Sequence, residues 1–166
     1  MAQYLTTYIQ KDIMFMQQVS LQGFSNYKTS HRRAPVIVLI EDDELVRLSI
    51  EKFFSLYDYT LKIYVSAEEA LDEIRDGAPD IIITDYNLPG MTGLDLTKSI
   101  RKIGNTTPIV LLSAIRNAGI ENCSLALGID AVFTKPVNIL DLKERIEELI
   151  SLQFQQQSMP IYRACK

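Results

Sequence analysis

The chain has 166 residues, 47% of them hydrophobic, and a formal net charge of −4. That length and apolar fraction suit one globular domain with a real core and spare residues at its ends, and the mild acidity gives no general drive toward nucleic acid or an anionic membrane. Two distant cysteines, Cys123 and Cys165, exclude a disulfide framework or a metal knuckle and fit a reducing cytosol, while no apolar run approaches the roughly 20 residues of a membrane span and no signal peptide is visible.

Residues 1–34 are locally basic, with Lys11, Lys28, Arg32 and Arg33 against Asp12 alone. Leu5, Tyr8, Ile9, Ile13, Met16 and Val19 fall near helical spacing, so this stretch is either a short amphipathic helix or a weakly ordered extension, followed by a polar linker that ends at Pro35. The one histidine, His31, sits in that linker with nothing beside it to complete a site.

Val36-Ile37-Val38-Leu39-Ile40 reads as a strand buried on both faces and runs into Glu41-Asp42-Asp43-Glu44. A helix follows, with Val46, Ile50, Phe53, Phe54 and Tyr57 on one face. Leu61 to Val65 alternates less cleanly and reads as an edge strand. Ser66-Ala67-Glu68-Glu69 has the form of a capping box, and the helix it opens stops near Gly77-Ala78-Pro79. Ile81-Ile82-Ile83-Thr84 is another buried strand, and it ends on Asp85. Past it lies the Pro89-Gly90 turn.

Leu94, Leu96, Ile100 and Ile103 predict a helix stopped at Gly104. Pro108 to Leu112 is a fourth buried strand ending in Ser113-Ala114. Residues 116–127 give the weakest helix, because Asn117, Gly119 and Asn122 all disfavour it. Ala131 to Thr134 is a short fifth strand leading into Lys135-Pro136. Asn138 caps a last helix with Leu142, Ile146, Leu149 and Ile150 as its stripe. The expected organisation is an extension over 1–34, one domain over 35–151 and a short polar tail over 152–166.

Strand and helix therefore alternate five times. This pattern predicts an α/β fold: a doubly wound, five-stranded parallel sheet with helices on both faces. In the strand order 2-1-3-4-5, the first and third strands are neighbours at the switch point, where such sheets place their chemistry. Glu41, Asp42, Asp85, Ser113 and Lys135 all stand at strand ends and would gather on one edge.

Carboxylates gathered in one crevice repel each other, and a divalent cation relieves this. With only hard oxygen ligands on offer, Mg²⁺ is favoured, and it commonly shares its shell with a phosphate. Ser113 offers a hydroxyl donor and Lys135 a point charge for a phosphate oxygen. Asp85 is the well-placed nucleophile.

These residues carry a resemblance. Val-Leu-Ile-Glu-Asp-Asp-Glu at 38–44, Thr-Asp-Tyr-Asn-Leu-Pro-Gly-Met-Thr-Gly at 84–93, Leu-Leu-Ser-Ala at 111–114 and Phe-Thr-Lys-Pro at 133–136 resemble the receiver domain of two-component response regulators over about residues 35–151. The resemblance implies the flavodoxin-like form of the fold. It implies that Asp85 takes a phosphoryl group from a phosphohistidine on a sensor histidine kinase or phosphotransfer protein. It also implies that Glu41, directly or through water, joins Asp42, Asp85 and the backbone carbonyl of Asn87 in holding Mg²⁺. Ser113 would bond a phosphoryl oxygen and Lys135 would pair with the group.

The same resemblance implies a cytoplasmic, self-phosphorylating switch rather than a turnover enzyme. Too little chain follows residue 151 for a DNA-binding domain, so output is expected through a partner or through residues 1–34, with homodimerisation as a further option. One departure stands out. Many relatives carry an aromatic residue three positions before the lysine. Here Val132 occupies that position, with Phe133 one residue later and on the opposite face.

Three other functions are weaker. A phosphatase of the haloacid dehalogenase kind usually has a second acid two residues after its nucleophile, where this chain has Asn87. A phosphate-independent module on this fold is expected to lose Asp85, an acid or Lys135, and all are kept. A nucleotide enzyme is disfavoured because no glycine-rich phosphate loop follows the first strand.

Overall fold

The structure is a computed structural model that describes residues 33–77, 79–115 and 118–158, with side chains as far as Gln155. The helical stripe between Leu5 and Val19, and His31, lie outside the described residues.

Ten elements alternate along the chain: β1 Val36–Ile40, α1 Glu44–Phe54, β2 Thr60–Tyr64, α2 Ala67–Asp76, β3 Ile81–Asp85, α3 Gly93–Lys102, β4 Ile109–Ser113, α4 Ala118–Ala126, β5 Ala131–Thr134 and α5 Ile139–Ser158. The five strands pair in parallel in the order β2-β1-β3-β4-β5. This is the doubly wound arrangement expected from the sequence.

The β-branched runs explain the middle of the sheet. Every residue of β3 and β4 is buried, whereas β2 and β5, at the two edges, are half-buried or exposed. Val38, Ile40, Ile82, Ile109 and Leu111 share one face with Ala70 and Ile74 of α2, Leu96 and Ile100 of α3, and Ile120 of α4. Strand alternation turns Ile37, Leu39, Ile81, Ile83, Val110 and Leu112 the other way. That side receives α1, which buries Ile50, Phe53 and Phe54, and α5, which buries Leu142, Ile146, Leu149 and Ile150. Tyr59 Oη donates to Glu147 Oε1 at 3.1 Å, tying the segment after α1 to α5.

The helix ends follow their capping residues. Ser66 Oγ accepts from the Glu69 N–H at 3.4 Å, the serine half of the expected box. Thr92 caps α3 through the Asp95 N–H, and Asn138 Oδ1 accepts from the Leu140 N–H at 3.1 Å. Away from the site, carboxylates close the starts of two strands. Asp80 Oδ2 accepts from the Val36 N–H at 2.7 Å and Asp130 Oδ2 from the Ile109 N–H at 2.8 Å. Arg33 grips both oxygens of Asp80, at 2.7 and 3.0 Å.

One boundary differs from the sequence reading. α5 runs on to Ser158, through residues taken as tail. Gln155, Gln156 and Gln157 are good helix formers, and a helix already nucleated by Leu142 to Ile150 extends at little cost until a breaker arrives.

Candidate functional site

Parallel strands bring their C-terminal ends to one edge, and the register sets who meets whom. Ile40 pairs with Thr84, so Glu41 and Asp85 follow at the next step of neighbouring strands. Ser113 pairs with Thr134, so Lys135 follows directly beside the end of β4. Carboxylate oxygens of Glu41, Asp42 and Asp85 lie within 4.8 Å of one another. Glu41 is fully buried, Asp85 nearly so, and Asp42 is exposed.

Lys135 Nζ stands among them. It lies 2.7 Å from Asp85 Oδ1, and 2.9 and 2.8 Å from Glu41 Oε1 and Oε2. Burial opposes the charge on Lys135, but hydrogen bonds and charge from Asp85 and Glu41 outweigh it and hold its pKa above the ordinary lysine value. Burial is also the main influence on Glu41 and raises its pKa, with Lys135 pulling the other way. Both directions follow from one cation shared among several acids: Lys135 is over-supplied with partners and Glu41 is under-supplied.

Asp85 is held from two sides. Its second oxygen, Oδ2, accepts from the Asn87 N–H at 2.8 Å. The loop beyond it is fixed by backbone bonds, Tyr86 N–H to Leu112 O at 2.7 Å and Gly93 N–H to Tyr86 O at 3.0 Å. Gly90 takes the left-handed turn at φ 79°. Gly93 is needed for a different reason. A Cβ there would lie 2.3 Å from the Asp85 carbonyl oxygen and 2.9 Å from Leu111 Cδ1, so only glycine lets α3 start this close to the site.

Ser113 is buried at the same edge, but its hydroxyl closes a local turn. Oγ donates to Ile115 O at 2.8 Å and accepts from the Ile115 N–H at 3.1 Å. Its backbone carbonyl accepts from the Lys135 N–H at 2.8 Å. Val132 packs against the α2–α3–α4 side of the core with Leu111, and Phe133 stands outside that cluster. The position three before the lysine is thus aliphatic in its packing as well as in its sequence.

The donor set suits a divalent cation. All ligands on offer are oxygens, and three clustered carboxylates have one lysine ammonium, which pairs with Glu41 and Asp85. The structure brings Glu41, Asp42, Asp85 and Lys135 together as expected and sets Asn87 against Asp85 through its N–H. Two contributors were missed from sequence. Gly93 closes the motif at 84–93 but has no role assigned there. Asp43, one acid in a run of four, caps α1 by accepting from the Leu45 and Val46 N–H groups at 2.9 and 3.0 Å. An aspartate just before an apolar-periodic run was the signal for it.

Comparison with known proteins agrees with this geometry. The model of the response regulator receiver domain matches residues 37–147. The regulator of RpoS from Escherichia coli K12 is 32% identical over 114 residues, which is 69% of this chain and 33% of that protein, so the chain spans about a third of this relative's length. The receiver domain of Francisella response regulator 1452 superposes with a TM-score of 0.69 at 28% identity, covering 72% of this chain and 98% of that one. The Saccharomyces cerevisiae Ssk1 receiver domain, solved with the histidine phosphotransfer signalling protein Ypd1, has the same fold (TM-score 0.68, 22% identity, 75% of this chain and 94% of that one). The strand ends that gather Glu41, Asp42, Asp85 and Lys135 lie within the matched span, and the chain belongs to the receiver domains of two-component response regulators.

Proposed function

We propose that the chain is a phosphoacceptor switch, taking a phosphoryl group on Asp85 from a phosphohistidine in a Mg²⁺-dependent reaction. The observation that carries this reading is the convergence of Glu41, Asp42 and Asp85 on one edge with Lys135 Nζ 2.7 Å from Asp85 Oδ1. In the transfer, the donor's P–N bond breaks and a P–O bond to the Asp85 carboxylate forms. The imidazole leaves with the electron pair and takes a proton. Glu41, Asp42, Asp85 and the Asn87 carbonyl would hold Mg²⁺, which supplies positive charge for the phosphoryl oxygens.

The protein's own part is orientation and charge. Lys135 and the Asn87 N–H fix the two oxygens of Asp85, so the nucleophile does not rotate before attack. Lys135 offers charge to the incoming group, as such loose transition states require. The Ser113 hydroxyl gives up its bond to Ile115 O for a phosphoryl oxygen, and that exchange begins the response around β4 and β5. In this reading the chain is phosphorylated on Asp85 itself and acts as acceptor and switch rather than as a turnover enzyme.

The proposed donor is a sensor histidine kinase or a phosphotransfer protein. The yeast receiver domain of this fold, solved with a histidine phosphotransfer protein, supports that class of partner. No helix among the described residues is long and apolar enough to cross a membrane. The test is intact-mass spectrometry after incubation with Mg²⁺ and acetyl phosphate, beside Asp85→Asn. One added phosphoryl group in the unchanged chain, absent in the variant and absent without Mg²⁺, is expected. No adduct from either acetyl phosphate or a phosphorylated histidine donor, in a folded chain, would overturn the reading.

A further inference from the structure

Arg47 lies in the first turns of α1 and is not among the residues that the site's chemistry accounts for. Its backbone N–H makes the first bond of the helix, to Asp43 O at 2.9 Å. Helical side chains lean toward the helix N-terminus, so its guanidinium reaches back over that turn. Nη1 donates to Glu41 O at 3.0 Å and to Asp42 O at 3.1 Å. Both carbonyls lie beyond the paired residues of β1, which end at Ile40.

We propose that Arg47 is a positioning residue for Mg²⁺, holding the main chain of Glu41 and Asp42 in the binding arrangement before the ion arrives. The inference rests on the reading of Glu41, Asp42 and Asp85 as a Mg²⁺ site. The main chain of the acid pair is pinned on one side by the sheet, where the Glu41 N–H donates to Tyr64 O at 3.1 Å. Arg47 pins the other side, through the carbonyls. Asp43 joins the two, because its N–H donates to Glu41 Oε1 at 3.3 Å while its carboxylate caps the helix that carries Arg47.

Two effects of Arg47 oppose each other. Its charge repels a cation, and its hydrogen bonds preorganise the cation's ligands. Arg47 is only half-buried, so its charge stays partly hydrated and the repulsion is weakened though not removed. The hydrogen bonds go to carbonyls that no strand pairs, and loosening them removes one of the tethers on the main chain of two of the three acids. Partners of this outer kind are typically worth about 10- to 100-fold in metal affinity. Positioning therefore wins, and the two effects have opposite signs in an experiment.

The experiment is isothermal titration of the full chain with Mg²⁺ alone, with no phosphodonor, for the unchanged protein, Arg47→Ala and Arg47→Lys. The melting temperature of each is recorded in Mg²⁺-free buffer. Positioning predicts dissociation constants in the order unchanged chain, Arg47→Lys, Arg47→Ala, with the last weaker by about tenfold. A charge effect alone predicts tighter binding in Arg47→Ala and no change in Arg47→Lys, and would overturn the proposal. A purely structural role lowers the melting temperature and leaves the Mg²⁺ affinity where it was, which also overturns it.

If Arg47→Ala does not fold, Arg47→Lys decides alone. Its arm is one bond shorter and reaches the two carbonyls less well, so weaker binding supports the proposal and equal binding sinks it. An unchanged chain that binds no Mg²⁺ overturns the metal reading and this inference together. Unaltered affinity in both variants overturns only the role of Arg47.

Discussion

Asp42 is exposed although its immediate neighbour Glu41 is fully buried. Lys135 pairs with Glu41 and Asp85. The three acids share one close cluster, and Asp42 meets solvent. Asp42 adds repulsion when no cation is bound and a ligand when one is.

Asp42→Asn is therefore expected to have opposite effects in two buffers. Without Mg²⁺ it melts at or above the temperature of the unchanged chain, since one of three clustered carboxylates is gone. Mg²⁺ at about ten times its dissociation constant adds about 1.4 kcal/mol to the unchanged chain, or about 4 °C, and most of that gain is missing in the variant. Thermal melts with and without the ion check both halves.

Gly93→Ala tests how tightly α3 abuts the site. On an exposed helix this change is favourable by about 1 kcal/mol. Here the new Cβ would lie 2.3 Å from the Asp85 carbonyl oxygen, and backbone has to move to relieve it. Overpacking of this kind costs about 1–3 kcal/mol, so urea denaturation should show net destabilisation. Phosphorylation by acetyl phosphate should slow as well, because the displaced backbone carries the nucleophile.

Asp80 closes the opposite end of the sheet and separates two contributions. Asp80→Ala strips the Val36 N–H and Arg33 of their acceptor and is expected to cost about 2–3 kcal/mol in urea denaturation. Asp80→Asn keeps an oxygen for the Val36 N–H and loses only the charge opposite a half-exposed arginine, so about 1 kcal/mol is expected. Equal losses in the two variants would show that the ion pair, not the backbone bond, is the larger part.

Asp43 contributes to the acid limb of stability, beside Glu73 and Asp95, whose carboxyls are also held low. Its bond from the Val46 N–H, aided by the Leu45 N–H and by Lys135 and Arg47, holds its pKa below the usual aspartate value of 3.8. The sign follows from a depressed folded pKa. The stabilisation is complete above 3.8 and is lost as pH falls from there through the lower folded value. Asn also caps helices but does not titrate in this range. Asp43→Asn should therefore lose less stability than the unchanged chain between about pH 4 and pH 2 in urea titrations.

Much of this was legible in the sequence for definite reasons. Runs such as Ile81-Ile82-Ile83 have no stable place except a strand covered on both faces, and a parallel sheet then puts Glu41, Asp42, Asp85, Ser113 and Lys135 on one edge. What was not legible depends on depth and direction. Sequence does not say that Glu41 is sealed while Asp42 is open, or that the Ser113 hydroxyl is turned to Ile115. Those depend on how far each chain runs past its last paired residue. The end of α5 lies past the boundary drawn at residue 151 because the apolar stripe stops at Ile150, while the polar residues beyond it still favour the helix they continue.

The Lys135 N–H is bonded to the Ser113 carbonyl, so the residue with the ammonium and the residue with the hydroxyl are joined by a single backbone step. β5 has one neighbour and is half-buried, whereas β4 is clamped on both sides. A pull on either side chain is thus felt by both, and the lighter, less anchored strand is the one that gives. Among the described residues, β5 is the less anchored of these two strands, and the buried centre of the sheet is the anvil it rests on.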